Sequence, residues 1–225
     1  MNDQEKWNYF DQGLDFFDEE EYEKALEFFE KALNMDPVFE NAIAYKSFAI
    51  TELKSLKESL EYVESQIEQN PDMGSLYYLK ANALSDLEQF AQSNDYFDMA
   101  IEKGFEEEIT YYARAYNYLG LDECDKAIPF FEKHLEINVD DVQSWCEMGK
   151  CLNSLSRFED ALKSANKAIE MDPDYYLPYS YQAVSWMGLG EEEKALKCFK
   201  KALELNPGDE ISILNTEKIL KKQEK

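Results

Sequence analysis

Prolines and small residues recur along this chain at a fixed step of 34. Pro37 and Pro71 are 34 apart (71 − 37), and so are Pro173 and Pro207 (207 − 173). Ala25, Ser59, Ser93, Ala127, Ala161 and Ala195 keep the same step without a slip. A long, unbroken period of this kind means one helix pair copied and stacked, because each copy is too short to bury its apolar face alone. Any function then becomes a question about surfaces rather than about an enclosed reaction chamber.

Residues 6–39 show the repeating unit. Trp7, Phe10, Leu14 and Phe17 step by 3, 4 and 3, which puts them on one helical face. A polar break at Asp18–Glu21 separates them from a second periodic run of Tyr22, Ala25, Leu26, Phe29, Ala32 and Leu33. That run stops at Asp36–Pro37, since proline disfavours helical geometry in the residue before it. The unit reads helix, tight turn, helix, tight turn.

Five further copies fall in register. A bulky residue recurs in the first helix at Tyr9, Ile43, Tyr77, Tyr111, Trp145 and Tyr179. One turn later comes a small one: Gly13, Ser47, Ala81, Ala115, Gly149, Ala183. Small side chains here let the second helix approach the first closely. In the second helix the small Ala25 column is followed four residues on by Phe29, Val63, Phe97, Phe131, Ala165 and Phe199. Then come Ala32, Gln66, Ala100, His134, Ala168 and Ala202, and the turns at Pro37, Pro71, Phe105, Val139, Pro173 and Pro207. Pro129, inside a second helix, is expected to bend it. Gly188 and Gly190 mark a turn, and Asp209 is a candidate N-cap for a last helix.

The order bulky–x3–small, then A-x3-F, then a turn proline, resembles the tetratricopeptide repeat (TPR). Trp145-Cys-Glu-Met-Gly149 follows its W-x2-L-G opening with Met148 for leucine, and Ala195-Leu-Lys-Cys-Phe199 with Ala202 and Pro207 matches its second half. The resemblance implies an all-α, right-handed superhelical solenoid of helix-turn-helix repeats. The expected repeats are 6–39, 40–73, 74–107, 108–141, 142–175 and 176–209, with a C-terminal capping helix over 208–225, forming one continuous domain. Repeat two departs furthest from the pattern, with Lys46, Ser47, Ser59 and Gln66 at signature places.

The net charge of −25 repels phosphate backbones and anionic membranes, so nucleic acid and membrane are not expected partners. A protein or peptide that is apolar or basic rather than acidic suits this charge. Two readings of the acidity stand: it steers a ligand, or it keeps an aromatic-rich rod soluble. The charge is concentrated early, with 13 acidic and 3 basic residues over 1–40, against 8 of each over 191–225. No apolar stretch approaches the roughly 18 residues of a membrane span. The N-terminus lacks the pattern of a signal peptide, and Cys124, Cys146, Cys151 and Cys198 show no paired framework. Reduced thiols in a cytoplasmic protein are the expectation.

No phosphate-binding loop, dinucleotide fingerprint or H-E-x-x-H motif is present. His134 is the only histidine and sits in a packing column, where a structural role is expected. Cys146 and Cys151 are five apart, off a shared helical face and outside zinc-ligand spacing. Neither an enzyme nor a cofactor or metal is expected.

In the family, the first helices line the concave face, which is the usual binding surface. The resemblance therefore points to an aromatic track of Trp7, Phe10, Phe48, Tyr78, Tyr112 and Tyr116, with Asn82, Lys150, Asn153 and Tyr181 beside it. Aromatic rings with a polar handle suit partner recognition. The carboxylate clamp of some family members, built from inward lysine, arginine and asparagine, is matched only by Lys150 with Asn153. A non-catalytic protein-interaction module, adaptor or chaperone-like, is the leading expectation. The alternative is a self-assembling structural protein, dimer or filament, stacking through Trp7, Phe10 and Phe17 of an uncapped first repeat.

Overall fold

The computed structural model describes residues 3–105 and 108–223. Among them are thirteen α-helices and no strands. They fall into two compact units, Met1–Glu107 and Glu108–Lys225.

The first unit holds α1 (Asp3–Asp18), α2 (Tyr22–Met35), α3 (Glu40–Leu53), α4 (Leu56–Gln69), α5 (Gly74–Asp86) and α6 (Phe90–Glu102). Short turns make consecutive helices antiparallel neighbours, and each packs on the one before and the one after. The first helices α1, α3 and α5 also touch in order, so they form one layer and the second helices another. The second unit holds α7 (Ile109–Gly120), α8 (Cys124–Ile137), α9 (Val142–Ser154), α10 (Phe158–Met171), α11 (Tyr176–Gly188), α12 (Glu192–Leu205) and α13 (Glu210–Gln223). It repeats the arrangement, with α9 against α11 in the first layer.

The helices form because each carries one apolar stripe at helical spacing. In α2 the buried stripe is Ala25, Phe29 and Ala32; its equivalents are Ala195, Phe199 and Ala202 in α12. Phe29, Phe97, Phe131 and Phe199 are completely covered, each worth about 2–3 kcal/mol of burial. Ala165 stands where these phenylalanines do, and Ser164 stands where Phe28, Tyr62, Tyr96 and Phe130 do.

Repeat two, the least regular in sequence, is held by hydroxyls. Ser59 Oγ donates to the carbonyl of Ser47 at 2.8 Å and lies 2.9 Å from Ser47 Oγ, all buried. Ser93 Oγ makes the same bond to the Ala81 carbonyl at 2.7 Å. Every buried hydroxyl in these pairs is thus matched, as burial demands.

The turn inside each pair has its own rule. Glu20, Glu88, Asp122 and Ser156 have φ near +58°, and Gly190 has φ +80°. These positions are 34 residues apart, or a multiple of it, and only Gly190 carries the residue type that adopts this conformation freely. Repeat two turns differently, through Lys54 at φ −124°, with Ser55 Oγ capping α4 by accepting from Glu58 N.

The helix α8 runs from Cys124 to Ile137 through Pro129, whose ring is exposed and displaces nothing in the core. His134 is buried in the same helix, its Nε2 2.9 Å from Asp141 Oδ2. Asp141 caps α9, with Oδ1 accepting from Gln143 N and Ser144 N. The only histidine is therefore structural, tying the end of one pair to the start of the next. Asp209 caps α13, accepting from Ser212 N at 3.2 Å and from Ser180 Oγ. Ile219 of α13 closes over Ala183, Ala195 and Phe199.

Candidate partner-binding face

The first-layer helices carry the side chains expected to meet a partner, and the two units place them differently. In the first unit Trp7 and Phe48 are exposed at 43% and 42%, while Phe10 is buried at 4%. Trp7 leans edge-on against Phe39, ring centroids 4.7 Å apart, and Tyr45 packs against Phe48 at 5.8 Å. Phe10 lies beneath them between Phe29, Phe39 and Tyr45. It belongs to the core, and the expectation that it lines a binding surface is corrected. Tyr78 is half-buried against Phe97 and Phe105, and Asn82 is half-buried on the same helix.

In the second unit α7 presents Tyr116, exposed at 53%, and Ile109, exposed at 57%. Tyr112 is half-buried, its ring 5.3 Å from the His134 ring. From α9 come Gln143, Glu147 and Lys150, and from α11 Tyr181. Lys150 Nζ is 3.5 Å from Glu147 Oε2, and Gln143 Nε2 donates to Glu147 Oε1 at 2.9 Å. Tyr175 Oη donates to Gln143 Oε1 at 3.1 Å. Asn153 is not free for a ligand: its Nδ2 donates to the Tyr181 carbonyl at 2.9 Å, and its Oδ1 accepts from Ser185 Oγ at 2.8 Å. It fastens α9 to α11, which corrects its assignment to peptide binding.

The column through Phe10, Tyr78, Tyr112 and Cys146 is buried or half-buried throughout. First helices pack side by side, so this column faces a neighbouring helix. The exposed columns flank it, with Trp7 and Gln143 on one side and Phe48, Tyr116 and Lys150 on the other. Sequence reasoning also passed over Glu147. Its place four residues after Gln143, on the same helical stripe, was the available signal.

The site is electrostatically simple. Burial pushes the Tyr112 phenol up, with Asp141, Glu147 and Tyr116 adding to it. Burial, then the Glu147 charge, raises Tyr181. Tyr175 is pushed up to about 12 by burial and by Cys146 and Tyr176 beside it. Cys146 is pushed up to about 12 by burial, so it is an unreactive thiol. At neutral pH this face offers neutral phenols able to donate hydrogen bonds, around one carboxylate, Glu147, and its lysine.

Three tetratricopeptide repeat models match the chain, over residues 9–39, 142–175 and 177–209. The chain belongs to the tetratricopeptide repeat family, as an all-α solenoid of helix pairs. Solved structures share the fold. YrrB, described as a TPR protein with an unusual peptide-binding site, is 20% identical over 84% of this chain and 97% of its own, with a TM-score of 0.77. PilF of Pseudomonas aeruginosa is 15% identical over 96% of this chain and 98% of its own, TM-score 0.76. MamA of Desulfovibrio magneticus RS-1 is 16% identical over 76% and 97%, TM-score 0.67. Among curated proteins, none matches this chain.

Proposed function

We propose that this protein is a non-catalytic interaction module that holds a segment of a partner protein on its first-layer helices. The observation that carries the reading is the exposed Tyr116 beside half-buried Tyr112 on α7, with the Glu147–Lys150 pair on α9, two helices of one unit. Tyrosines that stand rigidly, with an apolar body and a polar tip, give large contact area at small entropic cost. YrrB, a protein of the same fold described as having a peptide-binding site, supports this reading. The partner segment is apolar or basic: Glu147 supplies local negative charge, and the net charge of −25 speeds encounter with cations. A scaffold role also fits a sole histidine already committed to Asp141. A reducing compartment such as the cytoplasm suits the four free thiols. No helix among the described residues is long and apolar enough to cross a membrane.

A peptide library displayed on phage and panned against the full chain tests this. Enriched peptides should carry apolar and lysine or arginine residues, and their affinity should fall about tenfold or more in Tyr116→Ala. Peptides that bind Tyr116→Ala and Glu147→Gln as tightly as the parent chain would sink the proposal. The second reading, self-association through the first repeat, is favoured by exposed Trp7 on α1 and Val38 in the turn after α2, at 43% and 51%. Light scattering across a concentration range decides it: a monomer throughout excludes self-association.

A further inference from the structure

The second-layer helices pose a separate question, on residues the reading above does not use. Between successive second helices runs a groove whose floor is the first helix lying beneath. In the first unit the chain lines that groove itself with an aromatic ring under a cation. Lys46 lies 5.0 Å over the Tyr62 ring and pairs with Glu30 at 3.1 Å. Lys80 lies 4.3 Å over the Tyr96 ring and pairs with Glu64 at 2.7 Å. In the second unit Arg114 stands 4.3 Å over Phe130 in the same way. The last such groove is closed by neutral bonds, with Gln182 donating to Asn166 at 2.7 Å and Cys198 donating to Gln182 at 2.9 Å.

The groove between α2 and α4 still keeps a cavity of about 440 Å³, but Lys46 and Tyr62 line it; one groove has neither group. Between α8 and α10 the position of the aromatic is Ser164 and the position of the cation is Met148. A cavity of about 520 Å³ results, floored by Leu135, Met148 and Leu152. Its two walls differ in charge. On one side, Arg157 just before α10 and Lys163 on it both pair with Asp160, and Lys167 pairs with Glu170. On α8, Glu132 and Glu136 line the cavity with no ion-pair partner among the described residues, and Glu132 occupies the place of Glu30 and Glu64. Trp145 also lines the cavity, but the ring that stands in the equivalent grooves is missing at Ser164, and no cation pairs with Glu132 or Glu136 among the described residues.

We propose that the groove between α8 and α10 is a docking site for a partner protein segment that presents a phenylalanine or tyrosine next to a lysine or arginine. Such a segment supplies the two groups that the chain provides for itself in the equivalent grooves. The ring covers the Leu135, Met148 and Leu152 floor, and the cation meets Glu132 across it, combining ion pairing with cation–π attraction.

The test uses the full chain with N-acetyl-Phe-Lys-amide as probe, and N-acetyl-Phe-Glu-amide and N-acetyl-Ala-Lys-amide as controls, read by NMR shift titration. The Phe-Lys probe should move signals of Leu135, Met148, Leu152 and Ser164 in a saturable way, and each control should bind about tenfold more weakly. Glu132→Gln, a surface change that leaves packing alone, should weaken the probe several-fold. Ser164→Tyr with Met148→Lys should fill the groove and abolish binding, and Ser164→Tyr alone does the same if the pair fails to fold. Tyr116→Ala should leave the probe's affinity unchanged, which separates this site from the first-layer face. Equal binding of Phe-Lys and Phe-Glu, shifts located elsewhere, no saturable shift at all, or probe binding that survives the filled groove would overturn the proposal. So would self-association that the filled variant loses, since a second copy would then be the occupant.

Discussion

The Cβ that Gly13 lacks would lie 2.5 Å from Cε1 of Phe29, inside a ring that is completely buried. Gly149, at the same place in repeat five, would meet only Ser164 Cβ at 3.5 Å and backbone beyond it, because Ala165 replaces the phenylalanine there. One sequence column therefore obeys opposite rules in two repeats. Gly13→Ala should destabilise the protein by about 1–3 kcal/mol through overpacking. Gly149→Ala should stabilise it by about 0.5–1 kcal/mol, since alanine is the better helix former and its methyl fits. Denaturant titration of both variants measures the contrast, and loss of stability in Gly149→Ala would contradict it.

The left-handed turns at Glu88 and Asp122 hold side chains in a conformation that costs about 1–2 kcal/mol without glycine. Replacing either by glycine, the residue already present at Gly190, should raise stability by about 0.5–1 kcal/mol, the relief exceeding the added unfolded-state entropy. Lys54→Gly should give no such gain, because that turn has negative φ. Midpoints of thermal and denaturant unfolding would show the difference.

Asp141 links pH to stability. Burial opposes its ionisation, but hydrogen bonds from Ser144 and His134 outweigh it, so the carboxyl sits below the usual carboxylate range. A group with a lowered folded-state value contributes stability fully above its unfolded value of about 3.9, and loses it as pH falls through the folded value. Asp141→Ala should cost about 1–2 kcal/mol at pH 7 through the lost cap and hydrogen bonds. The gap between the parent chain and this variant should narrow between about pH 4 and pH 2. A gap that stays constant over that range would show that ionised Asp141 is not what stabilises the α8–α9 junction.

Asn153 separates scaffold from surface. Asn153→Ala leaves the Tyr181 carbonyl and the Ser185 hydroxyl short of a partner, and should cost about 1–3 kcal/mol. Affinity for peptides selected on the first-layer face should change far less than in Tyr116→Ala. A variant of normal stability that loses binding would return Asn153 to the site.

Much of this architecture is readable from the 34-residue step, because a repeated pair leaves its small and bulky contacts at the same place in each copy. The two helices of each repeat begin and end close to where the first repeat's pattern puts them, and Asp209 caps the helix it precedes. The candidate partner-binding face is less legible. Steps of 3 and 4 locate one side of a helix, but Phe10 and Trp7 both lie on that side, and only the neighbouring helix decides which is covered. Asn153 was unreadable for a similar reason, since its partners lie 28 and 32 residues away on another helix. The open groove had a visible trace in Ser164 and Met148, both out of character for their columns. Its meaning depended on seeing what Tyr62 and Lys46 do elsewhere.

The hydroxyl bonds from Ser59 to Ser47 and from Ser93 to Ala81 act as detents. Two smooth alanine faces slide past each other at little cost, but a buried serine that loses its carbonyl pays about 1–3 kcal/mol. Sliding α4 along α3 by one turn would strand two hydroxyls at once. The repeat that departs furthest from its family's pattern thus trades alanine contact for a hydroxyl pair that fixes where α4 sits along α3.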